Sequence, residues 1–423
     1  MAEIKPIRAW RYSSELSIDE LTSPLFDVVS EKQRKALYHH PLNSIHLSVP
    51  QGPAPASRAQ SLLEQWKKNK TIVQDVLPGI YVYYQYFKLP GVSREMCRKG
   101  FVAHIRTYDW KENVIQRHEN TIPQAVNDRI ELLEKTEMHT SPTHGLYTDP
   151  EFVLEKYMDE AIQSPIYETE DYQGVRDVLA VIQDASVIRQ FVTLMSCKKV
   201  ILADGHHRYE GSMIYRQQRT ASNPTHTGRE GYNFHLMYLT NTEAGDLRIL
   251  PTHRLIHGLP SLKEPDILRQ LEEDFIVKAL DDPDTVNEII HGKKWTFGLL
   301  FKDNAYKVRL KPEKIPTLPW PFPEEVKQLD LTVMHYFIIE KILKIPGKEQ
   351  RSSSHISFDR SFSDCLAKVL REEVQLAIIT QEISIEEVKQ ICTSGYTMPQ
   401  KSTYFYPKVI AGFLFSSIKD NEL

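Results

Sequence analysis

The chain of 423 residues lacks a strong excess of charge of either sign. Its 52 lysines and arginines stand against 56 aspartates and glutamates, which gives a formal net charge of −4 at pH 7. Such a balance leaves no electrostatic footprint for nucleic acid or for an anionic membrane. The composition therefore disfavours binding to a large polyanion, and we expect neither nucleic acid nor a membrane as a partner.

Cysteine is scarce and long apolar runs are missing. The four cysteines lie far apart and form no Cys-x-x-Cys pair, so neither a disulfide framework nor a zinc knuckle is predicted. The N-terminal sequence lacks the apolar stretch of a signal peptide, and no run approaches the roughly 18 apolar residues that span a bilayer. We expect a cytoplasmic protein with free thiols.

The hydrophobic patterns of the sequence indicate a mixed α/β fold. Residues 79–89 and 98–110 alternate aromatic or aliphatic residues with polar ones, which predicts two neighbouring strands, and amphipathic helices follow. The length suggests two or three domains, or one large core with appendages. The polar stretch 218–231 is predicted to bound a domain or to form a mobile flap.

The most informative segment is ILADGHHRYEG, residues 201–211. An apolar strand stops at Asp204 and a helical pattern begins after Gly205, and α/β proteins place ligands at such strand ends. The positive end of the helix favours an anion, typically phosphate. Gly205 would allow close approach of the backbone, His206, His207 and Arg208 would supply donors and charge, and Asp204 could hold Mg²⁺ or accept a proton.

Two other interpretations of this segment stay open. Asp204 could merely cap the helix, with the histidines as surface donors. A transition-metal site built from Asp204, His206 and His207 is the poorer alternative, because adjacent histidines usually point apart and leave too few ligands.

Three further clusters are candidates. Arg117, His118 and Glu119 form either a solvated loop or a functional group in which Glu119 is the general base. Near the C-terminus, lysines flank two hydroxyls, an arrangement that suits phosphate but also an ordinary strand; these residues are Lys401, Ser402, Thr403 and Lys408. His253 and Arg254 in LPTHRL give a weak signal for a phosphate clamp.

Several familiar motifs are absent. The sequence contains no GxxxxGK[ST], no GxGxxG after a strand, no HExxH and no GxSxG. P-loop, Rossmann, zincin and α/β-hydrolase interpretations therefore lose their usual support. The interpretation that remains for residues 201–211 is a phosphate site of an unusual kind.

ADGHHRYE resembles the hallmark of a bacterial family of unknown function. The similarity runs over nearly the whole chain through RAWRY, SPLFDVVS, RHENTIP, SPTHGLY, LPTHRL and MPQKSTYFYPK, in that order. Residues 100–216 are in turn similar to the core of the ParB/sulfiredoxin superfamily, within which the free L-serine kinases make O-phosphoserine from ATP, ADP or pyrophosphate. This second resemblance rests on the pair HE, residues 118–119, and on DGHHR, residues 204–208, which follows it after helical segments.

The resemblance implies an architecture and an activity. It implies a ParB/sulfiredoxin-like core at residues 99–218, with an N-terminal region at 1–98 and a C-terminal region at 230–423 that closes the cleft. The expected activity is a serine kinase with Mg²⁺ and pyrophosphate or a nucleotide, acting as a monomer or homodimer. A ParB-like nucleotide-binding or nucleic-acid-binding regulator and a phosphohydrolase are the alternatives.

The resemblance also implies roles for individual residues. Glu119 would be the base, Asp204 would position the hydroxyl or the metal, and His207 would act on the transferring phosphate. The expected phosphate contacts are Gly205, His206, Arg208, Arg254, Lys401, Ser402, Thr403 and Lys408, and the expected substrate contacts are Arg117, His118 and Ser141. His206 replaces the cysteine of sulfiredoxin, so thiol redox chemistry is not expected.

Overall fold

A computed structural model of the chain describes residues 1–24, 31–89, 92–260, 262–350, 352–398 and 402–423. Lys401, a predicted phosphate contact, and residues 25–30 of the SPLFDVVS motif lie outside the described residues. Mixed sheets and helices make up the structure, so the predicted mixed α/β fold is confirmed. Within the described ranges, no helix is long and apolar enough to cross a membrane.

The strands, in chain order, are β1 Ile4–Lys5, β2 Trp10–Tyr12, β3 Ile72–Gln74, β4 Ile80–Phe87, β5 Met96–Arg106, β6 Ile115–Arg117, β7 Met138–His139, β8 Thr143–Tyr147, β9 Tyr167–Glu170, β10 Arg176–Ile182, β11 Val200–Asp204, β12 Phe234–Asn241, β13 Arg248–Ile249, β14 His253–Ile256, β15 Phe275–Leu280, β16 Thr296–Leu300, β17 Ala305–Leu310, β18 Ile356–Asp359, β19 Leu376–Ile379, β20 Phe405–Tyr406 and β21 Ser416–Ser417.

The α-helices are α1 Glu31–His39, α2 Ile45–Ser48, α3 Pro55–Lys68, α4 Pro123–Thr136, α5 Glu155–Ala161, α6 Ala185–Met195, α7 His206–Ser222, α8 Glu264–Asp274, α9 Val286–Ile290, α10 Glu324–Lys327, α11 Asp330–Val333, α12 Gly347–Gln350, α13 Phe362–Leu370 and α14 Ile385–Ser394. Helix α11 continues directly as a π-helix, Met334–Glu340.

The chain forms two compact units. The first unit comprises residues 1–117, 121–248 and 407–423, and the second comprises residues 118–120 and 249–406. The predicted division into residues 1–98, 99–218 and 230–423 does not coincide with these units. The reason is that the boundary at residue 98 falls inside β5, which pairs along its length with β4 and, at its other edge, with β12.

The first unit contains a nine-stranded sheet in the order β6-β11-β8-β12-β5-β4-β10-β9, with β1 also paired to β5. The neighbouring strands predicted at 79–89 and 98–110 are confirmed as the antiparallel pair β4–β5. Alternate residues of β4 enter two different hydrophobic clusters, Val82 one of them and Tyr83 the other. Both faces of the central strands are therefore buried, and polar side chains there need partners inside the protein.

The second unit contains a six-stranded sheet in the order β15-β17-β16-β19-β14-β18. Each strand pair in this sheet is antiparallel. Leu255, Leu300 and Ile379 are among the buried residues of its core.

Candidate functional site

The corner between β11 and α7 has the strand-turn-helix geometry that the sequence predicted. Gly205 caps α7 in the left-handed region, with a φ of +88°. A Cβ at this position would lie 2.6 Å from Thr143 Cγ2 and 2.9 Å from Arg208 Nη2. Both the backbone conformation and the close packing therefore require glycine.

Asp204 lies between two cations at this corner. Its Oδ1 accepts a hydrogen bond from Lys408 Nζ, and its Oδ2 accepts one from Arg208 Nη2 at 3.1 Å. Burial alone would raise the pKa of Asp204, but the charges of Lys408 and Arg208 outweigh it and lower that pKa. Asp204 thus holds cations in place, and the helix cap is Gly205.

Arg208 is also fixed at its other nitrogen. Nη1 donates to Ser141 Oγ at 2.9 Å and to Pro142 O at 2.7 Å. The structure therefore brings together five of the predicted site residues in the first unit, which are Ser141, Asp204, Gly205, Arg208 and Lys408.

The donor set at this corner does not fit Asp204 as a ligand of Mg²⁺. Each of its oxygens already meets a cation, so a divalent ion there would stand beside two positive charges. Among the residues with described positions, no group of three or more His, Cys, Asp or Glu side chains could hold a metal. The Mg²⁺ requirement stays a prediction with no ligand assigned in this chain.

The two histidines of the motif differ in their surroundings. His206 is buried, and its positive form would help to lower the pKa of Asp204. His207 Nε2 accepts a hydrogen bond from Ile122 N at 3.0 Å, so this nitrogen anchors the chain next to α7. The catalytic role predicted for His207 has no support from that contact.

Arg117, a predicted substrate contact, pairs with a carboxylate of α7. Its Nη1 lies 3.6 Å from Glu210 Oε2, and the same oxygen accepts a hydrogen bond from Thr121 Oγ1. The guanidinium also lies 4.9 Å from the centroid of the Trp110 ring. These contacts give Arg117 a structural role at the start of α4, which the sequence did not indicate.

A row of buried polar side chains crosses three strands of the first unit and was missed from the sequence. Asp177 on β10 is in register with Gln85 on β4, which is in register with Arg98 on β5. All three are almost fully buried. Gln85 Nε2 donates to Asp177 Oδ1 at 2.8 Å, and Gln85 Oε1 accepts from Arg98 Nη2.

This row reaches the corner through the main chain of Lys408. Gln85 Nε2 also donates to Lys408 O at 2.9 Å, which fixes the backbone that carries the Lys408 side chain. Burial raises the pKa of Asp177 to about 7, although its hydrogen bonds from Tyr83 and Gln85 oppose this. The available signal was the presence of Gln85 within the otherwise aromatic and aliphatic strand β4.

The second unit holds the cluster around Glu119. Oε1 of Glu119 accepts three hydrogen bonds of 3.1 Å, from Ser402 N, Thr403 N and Thr403 Oγ1. The Thr403 hydroxyl donates its one hydrogen to Glu119. His118 Nε2 is therefore the donor of the hydrogen bond to Thr403 Oγ1, which is 2.8 Å long. The predicted residues His118, Glu119, Ser402 and Thr403 are thus brought together, and the carboxylate is held in one orientation.

Arg254 does not have the surroundings expected of a phosphate clamp. Its side chain is fully buried, because all four residues of β14 are buried. It donates to Thr252 O and to His335 Nε2, the latter at 3.1 Å. Burial lowers the pKa of Arg254 to about 10, against the opposing charge of Glu119. Arg254 is thus an interior cation of the second unit that interacts electrostatically with the Glu119 carboxylate, and its role in phosphate binding stays a prediction.

A protein-family model described as "Protein of unknown function (DUF1015)" matches residues 4–332. The chain belongs to this family. No curated protein matches this DUF1015 member in sequence.

Solved structures resemble this DUF1015 chain at low identity. A conserved hypothetical protein from Pyrococcus furiosus is 12% identical, with a TM-score of 0.35, over 72% of this chain and 92% of its own. A free serine kinase in complex with AMP is 12% identical, with a TM-score of 0.38, over 73% of this chain and 90% of its own. SbnI with a C-terminal truncation, from Staphylococcus aureus, is 11% identical, with a TM-score of 0.35, over 75% of this chain and 87% of its own. Likeness of this degree transfers no activity to the DUF1015 chain.

Proposed function

We propose that the chain is a phosphotransferase that transfers a phosphoryl group to the hydroxyl of free L-serine. Pyrophosphate or a nucleotide would be the donor, and O-phospho-L-serine the product. The observation that carries the proposal is the pair of cations, Lys408 and Arg208, held on Asp204 where α7 begins. The resemblance of ADGHHRYE and the upstream HE to the free serine kinases supports the same activity.

Fixed cations at a helix N-terminus suit the chemistry of phosphoryl transfer. Negative charge on the transferring group is stabilised best by positive groups that do not have to reorganise during the reaction. Lys408 is fixed by Asp204 and by the Gln85 contact to its carbonyl, and Arg208 by Asp204, Ser141 and Pro142. In the proposal these two cations bind the donor phosphates.

Glu119 is the proposed general base. A base must present a carboxylate oxygen to the hydroxyl proton in a defined direction. Three donors on Oε1 orient the Glu119 carboxylate, and Arg254 supplies a nearby positive charge that favours its ionised form. Glu119 would take the serine proton as the serine oxygen bonds to the phosphorus, while the bridging P–O bond of the donor breaks and phosphate or the shortened nucleotide leaves.

The test is direct formation of product. The purified chain is incubated with L-serine and with pyrophosphate, ATP or ADP in turn, with and without Mg²⁺, and O-phosphoserine is measured by mass spectrometry. We expect product with at least one donor. The absence of product with every donor would overturn the proposal, and release of phosphate without phosphoserine would indicate a hydrolase instead.

A pair of lysine variants shows whether the corner is responsible. Lys408→Met removes the cation on Asp204 and is expected to lower activity at least a hundredfold. Lys419→Met removes a lysine of the same C-terminal segment that is 40% exposed and lies 3.6 Å from Glu137. This control should retain activity, and equal loss in both variants would count against the assigned role of Lys408.

A further inference from the structure

We propose that the first unit binds a compact inorganic anion in a cavity between Arg129 and Arg208. This arginine cavity has a volume of about 40 Å³, and its polar lining includes Arg129, His139, Ser141, Arg208, Ser212 and His235. Leucine and methionine side chains form the rest of the wall. The proposal adds Arg129 as an anion contact beside Arg208, which the proposed function also uses, and its test does not need the kinase reaction.

The two arginines bring positive charge to one small space. Arg129 Nη1 donates to Ser48 O at 2.7 Å, and in the part of the chain that the structure describes Arg129 forms no ion pair with a carboxylate. Arg208 Nη1 donates to Ser141 Oγ and Pro142 O. Asp204 lies 3.1 Å from Arg208 Nη2 and offsets part of the charge of Arg208, whereas a neutral oxygen orients Arg129 without cancelling its charge. Such a preorganised donor favours an anion.

The electrostatics of Arg129 agree with this arrangement. Burial, and then the charge of Arg208, lower the pKa of Arg129, while the exposed Asp128 opposes this weakly. Two like charges close together in a partly buried space repel each other. A bound anion would relieve that repulsion, whereas water would only screen it.

The histidines of the cavity carry no charge near neutral pH. His139 Nε2 donates to Phe234 O at 3.1 Å, and burial lowers its pKa to about 4. His235 is bonded to Thr143 Oγ1 and Ser212 Oγ, and burial lowers its pKa well below the ordinary value. The anion would therefore be held by the two arginines and by hydroxyl groups.

Packing fixes the cavity and limits its occupant. A Cβ at Gly211 of α7 would lie 3.0 Å from Arg129 Cβ, so this glycine lets α4 approach α7 closely. The volume of about 40 Å³ is several times the roughly 10–15 Å³ that one water molecule needs. The space suits phosphate, sulfate or chloride.

Direct binding to the full chain tests the proposal. Phosphate, sulfate and chloride are titrated separately by calorimetry, in the absence of serine and any phosphoryl donor. Arg129→Gln should weaken binding of the preferred anion at least tenfold. Lys135→Gln removes an exposed lysine from the same helix and should leave binding unchanged.

Further variants locate the bound anion. Arg129→Lys, which keeps the charge, should retain part of the affinity, and circular dichroism shows whether each variant is folded. Phosphate binding that Lys408→Gln abolishes and Arg129→Gln leaves intact would assign the anion to the Asp204 corner and overturn the proposal. No binding of any of the three anions would overturn it as well. Since no serine or donor is present, either result is distinct from failure of the kinase assay.

Discussion

At the scale of single residues, Glu119 shows how one side chain can combine structure and chemistry. Its Oε1 holds the backbone at Ser402 and Thr403, and this would suffice to explain a half-buried glutamate at this position. The charge of the carboxylate is a separate property, which matters to a base but little to an acceptor of backbone hydrogen bonds. Substitutions can therefore separate the two.

Glu119→Gln keeps an oxygen that accepts the same backbone hydrogen bonds but cannot take a proton. If Glu119 is the base, kcat for phosphoserine formation should fall by about 10²–10⁴-fold while the melting temperature stays close to that of the wild type. Glu119→Ala removes the acceptor as well and should lower the melting temperature. Full activity in Glu119→Gln would exclude the base assignment.

At the scale of elements, the row Asp177, Gln85 and Arg98 joins three strands to the segment that carries Lys408. Aromatic or aliphatic residues alternate with polar ones along β4 and β5, but this alternation alone predicts that the polar residues face solvent. Here the second face is covered too, so the polar residues had to find each other across β10, β4 and β5. The row is specific to this register, because a shift of one strand by one residue would move the polar side chain of that strand to the opposite face.

Gln85→Leu tests this element-scale link. The change removes the donor to Asp177 and to Lys408 O and the acceptor for Arg98, and each buried group left without its partner costs about 1–3 kcal/mol. Urea unfolding should show that loss, and activity should fall because the Lys408 backbone is no longer fixed. Gln163→Leu, at an exposed position of the same unit, should change neither. Equal stability of the two variants would contradict the role of the row.

At the scale of the whole molecule, buried histidines tie stability to pH. Burial lowers the pKa of His104 to about 3 and that of His139 to about 4, and it lowers the pKa of His144 and His235 well below the ordinary value. These groups stay neutral when folded but take up protons near pH 6.5 when unfolded. Their stabilising contribution is therefore complete above about pH 6.5 and is lost as the pH falls.

We expect the free energy of unfolding to decrease from pH 7 to pH 5, by up to about 2 kcal/mol for each such histidine. Asp177 acts in the opposite sense, since its folded pKa of about 7 lies above the unfolded value, so its contribution is lost as the pH rises toward 7. Several histidines outweigh one aspartate. Urea unfolding at several pH values measures the effect, Asp177→Asn should make the loss on acidification steeper, and a flat profile would contradict the prediction.

The fold was predicted best where interactions are local. The β4–β5 pair and the strand-turn-helix corner at Gly205 follow from short patterns and from backbone chemistry, and both are confirmed. The geometry of the candidate site was predicted in part: Asp204 and Lys408 were each named as candidates, but their pairing spans 204 residues and leaves no local pattern. The burial of Arg254 was not predicted, because an arginine in an apolar strand gives no sign that both faces of that strand are buried.

That separation of 204 residues also has a consequence for biosynthesis. At a translation rate of about 5–20 residues per second, Asp204 and Arg208 precede Lys408 out of the ribosome by roughly 10–40 s. Eight of the nine strands of the large sheet are synthesised by the time Asp204 is, and only β12 follows, so the sheet can form while Asp204 still lacks its lysine. The ion pair is completed only when translation reaches Lys408, so a ribosome-stalled chain that ends before this residue should lack the Asp204–Lys408 pair.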